Sequence, residues 1–180
     1  QLCALCLWSS RSIVSSIMQL SAYSDYSLRV LMHTALRQPM RTTVAEVAET
    51  FNISRNHLVK VVHDLGRHGY LATQRGIGGG FILGRTPEAI RLGDVVRLGE
   101  ETETVIDCRD NKNRLCRLQP ACQLRGILDE AAGAFFDVLD DYTLADLIQR
   151  PSRMRFALGL DRPRTRNRSR LRQADAEYEI

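Results

Sequence analysis

Apolar positions along this chain first recur at helical spacing and then at strand spacing. From Ser24, SDYSLRVLMHTALR sets Leu28, Leu31, Met32 and Ala35 on one helical face, and Pro39 ends that helix. TTVAEVAETF opens with Thr43 and Glu46 in the Thr-x-x-Glu spacing of a capping box, followed by a stripe of Val44, Val47, Ala48 and Phe51. Asn52 suits a turn, and Ser54 is placed to cap SRNHLVKVVHDLGRHG, whose apolar face is Leu58, Val61, Val62 and Leu65. Gly69 suits a left-handed stop. YLATQRGIGGGFILG then reads as two short strands, Tyr70–Arg75 and Gly80–Leu83, around a glycine-rich hairpin. A phosphate cradle would need its glycines between a strand and a helix, whereas these lie between two strands. Three helices followed by a hairpin predict a winged helix-turn-helix, so the fold class is mainly α with a small β-hairpin wing.

Farther on, Thr86 and Pro87 begin one or two short helices, and TETVIDC looks extended. QLRGILDEAAGAFFDVLDDYTLADLI is a long helical pattern running to Asp146–Ile148. Leu124, Leu128, Ala131, Phe135, Val138 and Tyr142 alternate spacings of four and three, the seam of a helix that pairs with another. A homodimer through this dimerisation helix is the expectation, since two-fold symmetry suits readers of palindromic double-stranded DNA. The pattern divides the chain into a leader (1–17), a winged-helix DNA-binding unit (18–85), a cysteine loop with the long helix (86–149) and an Arg-rich tail (150–180). The leader reads as extra or disordered, with Met18 as the start, and the tail as disordered because it is poor in apolar residues. No run approaches the roughly 18 apolar residues of a membrane span, and the expected location is cytoplasmic.

Charge sharpens this division. Residues 18–85 hold eight Lys or Arg against four acids, and residues 86–149 seven against thirteen. A basic front beside an acidic rear points to a polyanion partner for the front alone. The outer face of the third helix offers Ser54, Arg55, Asn56, His57 and Lys60. Arg can bridge guanine and Asn can pair with adenine in the major groove, while Lys60 is placed for phosphate. Arg75 on the wing could enter a narrow minor groove, and Thr42 and Thr43 at a helix start could meet phosphate.

The remaining chemistry lies in CRDNKNRLCRLQPAC, where Cys108, Cys116 and Cys122 are spaced Cys-x7-Cys-x5-Cys. Thiolates are soft ligands for zinc or iron–sulfur clusters, and Arg109, Lys112, Arg114 and Arg117 give them a positive setting. Three thiolates need a fourth donor, and spacing alone leaves zinc, a cluster or a thiol switch open. An electron-transfer enzyme is disfavoured: there is no second cofactor motif and no acid–base pair. His33, His57, His63 and His68 are scattered through the DNA-binding half.

MQLSAYSDYSLRVLM, SRNHLVKVVHDLGRHGYL, the wing RGIGGGFIL and three cysteines before a long helix together resemble the bacterial winged-helix iron–sulfur transcription regulators that include IscR and NsrR. The resemblance spans about residues 18–148 and implies a homodimeric repressor, not an enzyme, whose cluster controls operator binding. It assigns Cys108, Cys116 and Cys122 to the cluster. In the IscR type a histidine follows the last cysteine by three residues; here that position is Arg125. In the NsrR type an aspartate of the partner's first helix completes a 4Fe-4S cluster, and Asp25 matches it. The implied reading is nitric oxide sensing through a 4Fe-4S cluster, with a 2Fe-2S site or a sensor of iron–sulfur supply or redox stress as alternatives.

Overall fold

The computed structural model describes residues 19–76, 78–100, 116–118 and 121–161. The leader expected at 1–17, Cys108 and residues 162–180 lie outside them. Helix α1 (Ala22–Arg37) begins at Ser21, whose hydroxyl accepts the Ser24 N–H. Helix α2 (Val44–Phe51) starts with the capping box expected of Thr43 and Glu46, and stops at Asn52, which takes a left-handed φ of 53°. Helix α3 (Arg55–Arg67) buries Leu58, Val61, Val62 and Leu65, the stripe read from the sequence. Gly69 follows at φ 75°, the left-handed geometry that a residue with a side chain resists.

Strands β1 (Leu71–Gln74) and β2 (Gly80–Leu83) pair antiparallel, Leu71 opposite Leu83 and Gln74 opposite Gly80. The turn between them depends on glycine. A Cβ at Gly79 would meet the carbonyl oxygens of Gln74 and Gly76 at 2.6 and 2.7 Å. A Cβ on Gly80 would meet the Thr42 carbonyl oxygen at 2.6 Å, so this glycine lets the 42 segment pair with the wing.

A 3-10 turn (Pro87–Ala89) leads into α4 (Leu92–Arg97), and α5 (Gln123–Asp140), α6 (Leu144–Leu147) and α7 (Pro151–Ala157) complete the described elements. The core crosses the boundary drawn at residue 85. Ile90, Val95 and Leu144 pack in the same buried cluster as Val30, Leu31, Leu58 and Leu65, so the winged helix is completed by residues from the following block.

Two expectations need correction. The long helix ends at Asp140 instead of continuing to Ile148. The Thr143 N–H donates to Asp146 at 2.8 Å and restarts the chain as α6, while Leu92 N–H to Tyr142 and Leu144 N–H to Ile90 tie the break to the start of α4. The segment after Arg150 is not wholly irregular: Pro151 starts a helix that Gly159 follows in left-handed geometry. Arg155 fastens it to the main body by donating to the Leu36 carbonyl at the end of α1. The buried positions of α5 are Ala132 and Phe136, which lie between the seam residues. Arg97 lies 4.6 Å over the Phe136 ring and holds Asp140 by paired bonds of 2.7 and 2.8 Å. The opposite face leaves Leu124, Ile127 and Val138 exposed in the single chain, with Tyr142 exposed just beyond the helix.

Candidate functional site

The expected DNA face is largely open. Ser54, Arg55, Asn56, His57 and Lys60 are all exposed, and so is Arg75 at the base of the wing turn. Ser54 occupies the cap position of α3, but its hydroxyl makes no capping bond, which leaves it for another acceptor or donor. With about 100° between successive residues of a helix, Asn56, Lys60, His63 and Arg67 form the stripe directly opposite Leu58 and Leu65. Arg55 and His57 lie on its two flanks, and the exposed Val59 adjoins it. Val59, His63 and Arg67 share this exposed face, beyond the expected contact set that ends at Lys60. Extending the same helical spacing by two turns would have found His63 and Arg67. An exposed valine on a reading helix gives no signal in composition, though its methyls suit a thymine methyl.

The two threonines behave differently from expectation. Thr42 is buried, and its N–H and carbonyl both pair with Phe81, at 2.9 and 2.8 Å. Its role as a phosphate contact is therefore withdrawn: the residue braces the wing. Thr43 is half-buried, and its amide and hydroxyl both donate to Glu46, at 2.6 and 3.0 Å. Glu46 is itself held by Arg37 at 3.0 Å. A carboxylate already occupies the place where Thr43 would have met phosphate.

Helix α1 connects the front of the molecule to this reading helix. The Tyr23 hydroxyl donates to Asp64 of α3 at 3.3 Å, and Tyr26 stacks on His57 with ring centroids 6.2 Å apart. Burial, reinforced by the Asp64 charge, pushes the Tyr23 hydroxyl up to about 12, so it remains a donor at any ordinary pH. Asp25 sits in the same turn and is 42% exposed; Arg29, one turn on, bonds it at 2.8 Å and lies 5.6 Å over the Phe51 ring. Deeper along α1, His33 is fully buried against Phe51 and Thr50. Burial, helped by the nearby Arg37 and opposed by Glu46, lowers its imidazole to about 4.

Of the cysteines, Cys116 is exposed and Cys122 is half-buried at the cap of α5, where its side chain makes no capping bond. Cys108 lies outside the described residues. Among those described, no three His, Cys, Asp or Glu side chains gather to hold a metal ion. Arg125, at the position where a histidine ligand was sought, pairs with Asp129 along its own helix at 3.4 Å. Among the described residues no helix is long and apolar enough to cross a membrane.

Residues 20–150 match the family model Rrf2, described as an iron-dependent transcriptional regulator. The chain belongs to the Rrf2 family. It is 46% identical over 133 residues to the HTH-type transcriptional regulator NsrR of Bacillus subtilis strain 168, covering 73% of this chain and 91% of that one. With the regulator of the same name from Geobacillus kaustophilus it shares 43% over 142 residues, covering 78% and 97%. Among solved structures, CymR, the global cysteine regulator of B. subtilis, superposes with a TM-score of 0.59 at 26% identity, over 74% of this chain and 98% of that one. IscR of T. potens superposes with 0.59 at 22%, covering 73% and 87%, and supports the Rrf2 winged-helix fold. This Rrf2 chain is a DNA-binding transcriptional regulator and not an enzyme.

Proposed function

We propose that the chain is a homodimeric repressor that reads a palindromic operator and responds to nitric oxide through a 4Fe-4S cluster. Cys108, Cys116 and Cys122 of one subunit and Asp25 of the partner subunit are its proposed ligands. The donor set is chemically suited to such a group: soft thiolates with one carboxylate, in a loop that also carries Arg114 and Arg117. When bound, the cluster supplies iron that reacts with nitric oxide. The proposed DNA contacts are Ser54, Arg55, Asn56, His57 and Lys60 on α3 and Arg75 on the wing.

The observation that carries this reading is the placement of α1. One turn presents Asp25 outward while Tyr23 and Tyr26 hold Asp64 and His57 of the reading helix. A pull or release at Asp25 therefore acts on α3 through direct contacts. Two half-sites one DNA turn apart tolerate little change in the spacing of the two α3 helices. The uncovered apolar stripe of α5 supports the paired state, since Ile127 and Val138 stand 62% and 58% exposed in the single chain. NsrR-named relatives at over 40% identity support the NsrR-type reading that the sequence resemblance implies.

The test is an absorption spectrum of protein purified without oxygen, with iron and sulfide counts, before and after nitric oxide. Operator binding is followed in the same samples. Four irons per chain, a visible band that nitric oxide alters and a parallel loss of binding are expected, with Asp25→Ala blunting the response. A second reading, a cluster-free thiol switch, draws support from the exposed Cys116. Colourless protein whose DNA binding follows thiol oxidation would favour it.

A further inference from the structure

Where the first turn of α1 meets the end of α4, a carboxylate that no sequence pattern singled out takes two hydrogen bonds. Glu100 Oε1 accepts the Ser21 N–H at 2.9 Å and the Ser24 hydroxyl at 2.7 Å. Next to it, the Ser21 hydroxyl donates to the Gly99 carbonyl at 3.0 Å. Ser24 is fully buried. A Cβ on Gly99 would collide with the Ser24 hydroxyl and lie 2.9 Å from the Ser24 nitrogen, so the two segments approach as closely as a glycine allows. A carboxylate at a helix start is favoured by the helix dipole, and its hydrogen bonds are charge-assisted. The turn it fixes is the one that carries Asp25, whose N–H bonds the Ser21 carbonyl at 3.1 Å.

We propose that Glu100 is a positioning residue for Asp25, joining the first turn of α1 to the start of the segment that carries Cys108. The proposal rests on the reading that Asp25 completes the partner's cluster. In sequence, Glu100 immediately precedes that segment. One carboxylate thus stands between a subunit's own cysteine loop and the aspartate it donates across the dimer.

The experiment compares wild type, Glu100→Ala, Glu100→Gln, Asp25→Ala and the Glu100→Ala/Asp25→Ala double variant as full chains reconstituted without oxygen. The decay of the visible band under an iron chelator is timed for each. Hydrogen exchange at the amides of residues 22–25 is measured in the cluster-free proteins. Glu100→Ala is expected to speed band loss about tenfold, the lower end of what removing a group that orients a metal ligand costs, and to speed exchange in that turn. Glu100→Gln keeps an oxygen acceptor and retains most of the lifetime. In the Asp25→Ala background, Glu100→Ala adds no further loss. Faster exchange with a wild-type cluster lifetime would reduce Glu100 to a helix cap and overturn the proposal. An equal acceleration with or without Asp25 would overturn it too. If the wild type takes up no cluster at all, the sensing reading falls first and this role falls with it.

Discussion

Glu46 is the point at which the DNA-reading motif is most exposed to a single change. Its side chain holds the Thr43 amide and hydroxyl and the Arg37 guanidinium, and the residue is only 7% exposed. Glu46→Ala removes the capping box, worth about 1 kcal/mol. It also strands Arg37, whose side chain is 13% exposed and whose Nε already lacks a partner. A mostly buried donor left without its carboxylate costs about 2 kcal/mol more. The total, about 3 kcal/mol, is a large share of the roughly 5–15 kcal/mol that holds a domain together. It corresponds to a drop of about 10 °C in Tm for a chain of this size. Thermal and urea unfolding of wild type, Glu46→Ala, Thr43→Ala and the double variant measure it. Thr43→Ala alone should cost about 1 kcal/mol, and close to nothing once Glu46 is gone, because the two residues share the same bonds. Additive losses, or a Tm within 2 °C of wild type for Glu46→Ala, would refute the assignment of this carboxylate as both cap and counter-charge.

Four further outcomes follow from the same geometry. His33 is held neutral by burial and lowered to about 4. Because the unfolded chain binds its proton first, the stability it contributes is complete above an unfolded value of about 6.5 and falls as pH drops toward 4. Urea titrations at pH 7 and 5 should show a loss of about 2 kcal/mol that His33→Gln removes; equal losses in both proteins would exclude the imidazole as the source. Lys60→Ala should reduce the slope of log affinity against log salt by about 2 for the two copies in a dimer, weakening all sequences alike. Asn56→Ala should relax sequence preference at an unchanged slope, and anisotropy titrations over a salt series separate the two. Ile127→Asp, on the uncovered stripe of α5, should give a monomer in sedimentation with the Tm of the winged-helix core unchanged. A persistent dimer would place the subunit contact elsewhere.

The winged helix was legible because each of its signals is local. The α3 stripe, the Thr43–Glu46 box, the left-handed Gly69 and the glycine-rich wing act within a few residues, and the chain obeys all of them. What was not legible depends on contacts between distant segments. Thr42 looked like a free helix-start threonine, but whether it faces DNA or the wing is decided by Gly80, almost forty positions away in sequence. The end of α5 could not be read from its apolar pattern, which runs on past Asp140. The break is set by pairing with residues 90–92 and by a second capping box at Thr143. The apolar pattern of α5 also did not show which positions it buries in its own chain, Ala132 and Phe136, because Phe136 is met by Arg97 of α4, a contact from a distant segment.

The same distinction bears on how such a regulator can respond at all. A reading helix held only by its own local signals would be indifferent to events elsewhere in the chain. Here α3 is also held by Tyr23 and Tyr26, both from the turn and a half of α1 that carries Asp25. That stretch is in turn held by Glu100, at the threshold of the cysteine segment. Each of these contacts is a single hydrogen bond, charge-assisted pair or ring stack, worth on the order of 1 kcal/mol. They are weak beside the buried leucines and valines that keep the winged helix folded. That disparity is what the proposed switch needs: in the proposed dimer the core stays intact while the spacing of the two reading helices is set by interactions small enough for one ligand to shift.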